Sequence, residues 1–539
     1  MLPDPEHSRR RLFALSTLSA LVALFAARIL APSDLWGQTQ PRTIAYTADM
    51  LARGGEAWVL ARDAEGLYAT KPPLYNWLAA PFVALAGSSS ELAHRLPSLL
   101  VTCAIVLLLV RWGERIGRGI GWLAALSWLA MFPTLKLGYL ARPDMLLCLL
   151  LLVGWYAATR LILDARSGRP SSLSQAILFW LAFALSAWTK GPAALVLPAY
   201  AVAGTWLISG SPSTLLRFRP FTVGVAGMVL ASLWYVIAAS IAPEHFWDTL
   251  VYGEVVGRMT GNGPEGGKGG PLMILLGLPV MLFYFLVRFA PWSIPATLGA
   301  LALGLRGRGN EPLWRRPAGL VTGDITGAEN LRSDHRAFLW AAVLWTATII
   351  VLYSLSSGKR ADYIAPVYAP AALVGAWWMV ADRNSPIRNH AWLAPLAATI
   401  GLSIHIAVDH RGTVLTRATM HHLSSIVDRV LAERAPNDAT TTLVLAPQLP
   451  HITVLCADPA PSDNTMRRLR SAIASQERTL VLVGLRNEPA ALSELVTAGR
   501  ARILWSMPMP DDAAKAEITY GVTMYEIDAA ATTPSATDS

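Results

Sequence analysis

Charge is scarce in this sequence. Asp, Glu, Lys and Arg make up only 15% of its 539 residues, where a soluble domain carries about a quarter. That shortfall excludes an ordinary soluble globular protein. Cysteine is scarcer, with 3 in the chain. Cys103 and Cys148 fall in apolar runs and Cys456 in an expected strand. With no CxxC pair and no His/Cys ligand spacing, neither a disulfide framework nor a zinc site is indicated. RNP-like aromatic motifs, zinc fingers and basic recognition helices are also missing, so the net charge of +9 does not point to nucleic acid. The lack of an internal repeat weighs against an inverted-repeat transporter.

What the sequence has in abundance is apolar length. Hydrophobic residues are 53% of the chain, and runs of about 18 or more recur, enough to cross a bilayer as helices. Arg9, Arg10 and Arg11 precede the first run, and "RWGERIGRG", "RLILDARSGR" and "LLRFRP" separate later ones. Basic clusters mark the cytoplasmic side. Spans are expected near 12–30, 92–111, 118–137, 143–163, 174–189, 191–208, 220–241, 337–355, 363–381 and 391–408. The stretch 271–305, broken at "RFAPWSIP", supplies one net crossing. Residues 31–91 and 243–270 form two outer loops. The first holds a helix over "RTIAYTADMLARGG", stopped by its glycine pair, and interfacial helices around Pro72, Pro73 and Pro81.

From about residue 411 the pattern changes. "TTLVLAPQ", "HITVLCAD", "RTLVLVGL" and "RILWSM" are short β-rich runs between helical or turn-rich stretches, as in an α/β domain with a largely parallel sheet. The fold class is therefore a polytopic α-helical membrane protein of about 11–13 transmembrane helices with a small C-terminal α/β extracytoplasmic domain. Its domains are 1–410 in the membrane, 411–530 outside it, and a disordered tail at 531–539.

Ionisable groups gathered at one membrane face are candidates for function. Here they include Arg42, Arg62, Asp63 and Lys71 in the first loop, Asp144 at the start of a span, and Lys190 in "WTKGP". Glu254, Arg258 and Lys268 lie in the second loop, and Lys359, Arg360, Asp362 and Tyr363 in "SSGKRADYIAP". Paired cations beside stiff turns suit a phosphate. In "KPPLYNW" the prolines stiffen the turn after Lys71. The lipid-phosphate set is therefore Arg42, Lys71, Lys359, Arg360 and Tyr363. For acid–base work the candidates are Asp34 and Asp144, with Asp63 as an alternative; Asp34 is favoured because "SDLWGQTQPR" can fold back over Arg42. "GNGPEG" at Gly261 has no preceding strand, which leaves a mobile flap as its reading rather than a dinucleotide loop.

"KPPLYNWL", "ELAHRLPS", "LARPDMLL", "WTKGPAALVLP", "APWS" and "YSLSSGKRADYIAPVYAP" occur in an order that resembles the polyprenyl-phosphate-sugar-dependent glycosyltransferases of the GT-C superfamily. The likeness is greatest to the branch of the lipid A aminoarabinose transferases and more distant to protein O-mannosyltransferases. It implies sugar transfer from a polyprenyl-phosphate donor to a lipid, glycan or protein acceptor, on the outer face of a bacterial inner membrane and without a nucleotide. The family's first outer loop usually carries an acidic pair followed by an arginine. Arg42, Asp49 and Met50 match that pattern, but Thr39 and Gln40 stand at the acidic positions. The histidine expected in the later loop is missing from "GGKGGP", so no cofactor and no metal ligand is assigned. The alternative is a catalytically altered relative that binds polyprenyl phosphate or scaffolds envelope assembly.

Overall fold

A computed structural model describes residues 5–30, 39–63, 67–88, 90–257, 276–305, 333–356, 359–382, 385–404, 406–407, 442–445, 479–484, 495–499, 501–507 and 522–527. The chain divides into two compact units. One comprises Met1–Leu30, Thr70–Leu78 and Arg95–Val408; the other comprises Ala31–Ala69, Ala79–His94 and Asp409–Ser539.

The first unit is a bundle of apolar helices, and the protein is a multi-span membrane protein. Among the described residues seven helices are long and apolar enough to cross a bilayer. They are Glu6–Ala27, Glu91–Ile116, Asp144–Arg166, Leu173–Ser209, Pro220–Ile241, Asp334–Ser354 and Ala361–Val380. The pair Gly277–Arg288 and Ser293–Gly304, bent by 118°, makes an eighth if counted as one span. The runs expected at 118–137 and 391–408 appear as the shorter helices Ile120–Leu129 and Leu393–Ile404. Within 173–209, Gly191 (φ 58°) and the 3-10 turn Gly191–Leu195 break the run into two arms. Both arms have one end near residues 214–217. Ser171 donates to the Arg217 carbonyl at 3.1 Å, and Ser209 donates to Thr214 Oγ1 at 2.9 Å. The second outer loop is helical further than expected, through Pro243–His245 and Phe246–Val256, because "FWDTLVYGEVV" is itself largely apolar.

Close packing needs small residues where helices cross, since lipid tails are as apolar as leucine. A Cβ on Gly113 would lie 2.4 Å from Gly121 Cα, and one on Gly154 would lie 2.7 Å from the Leu197 methyls. Buried polar groups then tie the helices together. Thr159 and Tyr200 hydroxyls lie 2.7 Å apart, Trp155 donates to the Ala341 carbonyl at 3.3 Å, and Trp345 donates to Pro366 at 3.1 Å. Outward-facing Val225, Val229 and Val236 stay exposed, as a lipid-facing surface allows. The basic connections carry ion pairs of their own, Arg10–Glu114 at 2.8 Å and Arg169–Asp334 at 2.7 Å.

In the second unit the helix Thr39–Arg53 ends at Gly54 and Gly55, both at positive φ (63° and 50°). Its Asp49 carboxylate accepts from Arg53 at 2.5 and 2.7 Å and from the Arg62 amide at 2.6 Å. The same unit holds a four-stranded sheet of β1 (Thr442–Leu445), β2 (Thr479–Gly484), β3 (Ala501–Met507) and β4 (Val522–Ile527), in the order β1-β2-β4-β3. A largely parallel sheet was expected, but among the described strands only β1 and β2 pair in parallel; β4 runs antiparallel to both β2 and β3. The cause is β4, which lies in "GVTMYEID", a stretch that carried no strand expectation. Inserted between β2 and β3, it reverses both pairings. "HITVLCAD", with Cys456, lies outside the described residues, as do "GNGPEG" and the tail.

Candidate active site

Several charged groups of the membrane unit sit at helix ends. Asp144 opens the helix Asp144–Arg166, Lys190 closes Leu173–Lys190, and Arg288 closes Gly277–Arg288. A carboxylate at a helix N-terminus and cations at C-termini are each favoured by the macrodipole. Helix packing then brings these ends together as an alternating chain of charge. Lys190 Nζ lies 2.6 Å from Asp144 Oδ1, and Arg142 Nε lies 3.0 Å from Asp144 Oδ2. Arg142 Nη2 reaches Asp362 Oδ2 at 3.8 Å, and Arg288 Nη1 lies 2.5 Å from Asp362 Oδ1. Lys71 adds its attraction to Asp144. Asp144 is only 4% exposed, so these pairs are poorly screened by water.

Aromatic rings line the network. Lys190 Nζ sits 5.6 Å from the Tyr363 ring centroid, Tyr353 packs on Tyr363 at 5.3 Å, and the Arg288 guanidinium lies 5.5 Å from the Phe132 ring. Such placements attract a cation to the ring face. Four cations (Lys71, Arg142, Lys190 and Arg288) face two carboxylates (Asp144 and Asp362). The network as a whole is positive and suited to an anion.

The predicted residues fare differently. Lys71, Asp144 and Tyr363 belong to this network. Lys359, on the segment leading into Asp362, turns its ammonium onto the Ser354 carbonyl at 2.5 Å and onto the Ser356 carbonyl. Burial lowers its pKa from the ordinary lysine value. Gly277 makes this fold-back possible, because a Cβ there would lie 2.0 Å from Ser354 O and 2.7 Å from Lys359 Nζ. Arg360 is exposed, and its carbonyl accepts from the Tyr363 amide at 3.1 Å. Arg42 belongs to the second unit, where it pairs with the buried Asp63 at 3.6 Å. Asp34 lies outside the described residues, as do Arg258 and Lys268.

Two members of the network carried no sequence expectation. Arg142 stands two residues before Asp144 in "LARPDMLL", and Arg288 stands at the end of an apolar run, before "APWS". In both cases the signal was a cation bordering a helix end that already held, or later met, a carboxylate. Among the described residues no group of three or more His, Cys, Asp or Glu is placed to hold a metal ion.

Residues 70–236 match the family described as dolichyl-phosphate-mannose-protein mannosyltransferase. An undecaprenyl phosphate-alpha-4-amino-4-deoxy-L-arabinose arabinosyl transferase of Pectobacterium carotovorum subsp. carotovorum (strain PC1) is 26% identical over 408 residues, 72% of this chain. The chain spans 65% of that relative's length. The solved structure of ArnT from Cupriavidus metallidurans bound to undecaprenyl phosphate superposes with a TM-score of 0.60 at 16% identity, over 95% of this chain and 97% of that one. The chain therefore shares the fold of that ArnT structure. The apo oligosaccharyltransferase of Archaeoglobus fulgidus aligns more loosely, with a TM-score of 0.50 at 11% identity over 88% of this chain and 69% of that one. All the residues of the charge network except Arg288 and Asp362 lie within the matched stretch 70–236. The family match thus extends over the helices that carry Lys71, Arg142, Asp144 and Lys190.

Proposed function

We propose that this GT-C protein is a membrane glycosyltransferase that moves a sugar from a polyprenyl-phosphate-linked donor to a lipid, glycan or protein acceptor. The observation that carries the reading is the alternating chain Lys190–Asp144–Arg142–Asp362–Arg288, with Lys71 within electrostatic reach of Asp144. In the transfer the bond from the sugar anomeric carbon to the donor phosphate oxygen breaks. The acceptor oxygen bonds to that carbon, and the acceptor hydroxyl proton leaves. The donor phosphate, a monoanionic diester, becomes a dianionic monoester. The negative charge that develops falls on the phosphate, and preorganised cations stabilise it there. Similarity to the arabinosyl transferases and to the ArnT structure supports the same donor class.

In this reading Lys71, Lys359, Arg360 and Tyr363 serve the phosphate, joined by Arg142, Lys190 and Arg288. Asp144 has a cation on each of its oxygens; it holds the cations in register and is poorly placed to take a proton. Asp34 is the candidate base for the acceptor. The site and the C-terminal domain face the exterior of a bacterial inner membrane, with the membrane domain over 1–410 and the α/β domain over 411–530. A second reading, lipid-phosphate binding without turnover, is favoured by Thr39 and Gln40 at the start of the helix Thr39–Arg53. Sugar transfer from a lipid-linked donor, measured in vesicles for the wild type and Lys71→Ala, separates the two. Transfer that drops sharply in the variant supports the enzyme. Undiminished transfer rejects the role of Lys71, and lipid binding without turnover across a panel of donors favours the second reading.

A further inference from the structure

The turn that carries Lys71 is anchored on two sides by contacts that gripping a phosphate does not by itself require. Tyr75, 1% exposed, places its hydroxyl 3.0 Å from Ser98 Oγ, and Ser98 is fully buried. Ser98 Oγ in turn lies 2.6 Å from the Leu140 carbonyl and 3.5 Å from the Arg142 carbonyl. A carbonyl only accepts, and a serine hydroxyl has one proton to give. Ser98 therefore donates toward the 140–142 turn, and Tyr75 donates to Ser98. One helical turn further on, the Thr102 hydroxyl lies 2.8 Å from the Ser98 carbonyl of its own helix and 3.1 Å from the Gly138 carbonyl, so its one proton is shared between helix and connection. On the other side, Trp77 packs edge-on against Trp188 with centroids 5.5 Å apart at 87°. Trp188 precedes Lys190 by two residues, and its indole N–H is fixed on the Leu230 carbonyl at 2.9 Å. Pro72 and Pro73 are buried between Lys71 and these anchors and hold that short link at fixed φ.

We infer that Tyr75 and Trp77 are positioning residues that couple Lys71 to Arg142 and to Lys190, so that three cations from separate elements meet a lipid phosphate in one preset arrangement. The inference rests on the phosphate reading of the network. Tyr75 acts through Ser98 on the backbone that carries Arg142, and Trp77 acts through Trp188 on the helix end that carries Lys190. Presetting lowers the ordering cost that binding would otherwise meet. A tyrosine that merely filled space would keep that role as phenylalanine; one that positions Arg142 would not.

The test uses the full chain in nanodiscs, titrated with undecaprenyl phosphate, as wild type, Tyr75→Phe, Arg142→Gln and the double variant. Tyr75→Phe is expected to weaken binding about fivefold, the size of one neutral hydrogen bond. In the Arg142→Gln background the same change should cost less than about twofold, because coupled residues are not additive. Should Arg142→Gln fail to fold, Ser98→Ala replaces it, with the same non-additivity expected. Trp77→Phe and Lys190→Ala form the parallel cycle. Wild-type affinity in Tyr75→Phe, or losses that simply multiply, would overturn the coupling. A wild type that binds the lipid phosphate but transfers no sugar sinks the transfer reading and leaves the coupling standing. A wild type that does not bind it removes both.

Discussion

Lys190 Nζ lies 2.6 Å from Asp144 Oδ1, joining the last residue of one membrane helix to the first residue of its neighbour. Both side chains are largely withdrawn from solvent, at 17% and 4% exposure. A pair so placed owes its value to the partner's presence: removing one member strands a desolvated charge.

Asp144→Asn is therefore expected to lower stability by about 3 kcal/mol, since Lys190 and Arg142 both lose their carboxylate. Thermal unfolding of the detergent-solubilised protein measures this. Asp144→Leu combined with Lys190→Met should recover the part of the loss due to Lys190, leaving the part due to Arg142. A double variant as unstable as Asp144→Asn would show that the stranded Lys190 is not the source.

Arg288→Gln removes the cation 2.5 Å from Asp362. Asp362 would then pull on Arg142 alone, and the network would carry one positive charge fewer. Donor KM is expected to rise by about tenfold, the weight of one charge-assisted hydrogen bond, with a smaller change in kcat. Unaltered donor saturation curves would remove Arg288 from the site.

Lys359 gives a pH dependence whose sign is fixed. Burial lowers its pKa, so the unfolded chain holds that proton more firmly than the folded one. Its contribution to stability is least favourable below the lowered value and improves as pH rises toward about 10.4, the ordinary lysine pKa. The charge available to a phosphate runs the other way. It is lost as pH rises through the lowered value, so donor binding should weaken on the alkaline side before an ordinary lysine titrates. Lys359→Arg, which stays protonated, should flatten that limb of the KM–pH profile. A limb that persists in the variant assigns it to another group.

Gly277→Ala would place a methyl 2.0 Å from the Ser354 carbonyl and 2.7 Å from Lys359 Nζ. Backbone cannot yield that far cheaply, and overpacking costs about 1–3 kcal/mol. The variant should melt at lower temperature and lose the alkaline limb assigned to Lys359. Wild-type melting would show that the segment moves aside.

Much of the membrane unit was legible because a bilayer demands apolar length, and apolar length is written continuously in a sequence. Asp144 and Lys71 were legible for a related reason: a charge bordering a span stands out against its surroundings. Arg142 and Arg288 were less visible. Each looks like an ordinary interfacial cation until the fold sets a carboxylate from another helix beside it, Asp362 in both cases. Tyr75 reads in sequence as an interfacial aromatic, and only the packed structure gives its hydroxyl a partner in Ser98. The sheet misled because β-rich runs specify strands but not their neighbours. A single strand such as Val522–Ile527, inserted between two others, reverses two pairings at once.

The six charged residues of the network all occupy points where helices start, stop or turn. The shafts Asp144–Arg166, Leu173–Lys190 and Gly277–Arg288 can each enter lipid without dragging a mid-helix ion through hydrocarbon, a passage that would be costly. Their ion pairs must wait until the helices dock sideways. Insertion into the membrane and completion of the charge network are thus separate events in the life of the chain, and the second depends wholly on helix-to-helix fit. A packing defect far from the charges, such as a side chain at Gly113 or Gly154, can leave a fully inserted protein that never assembles its centre.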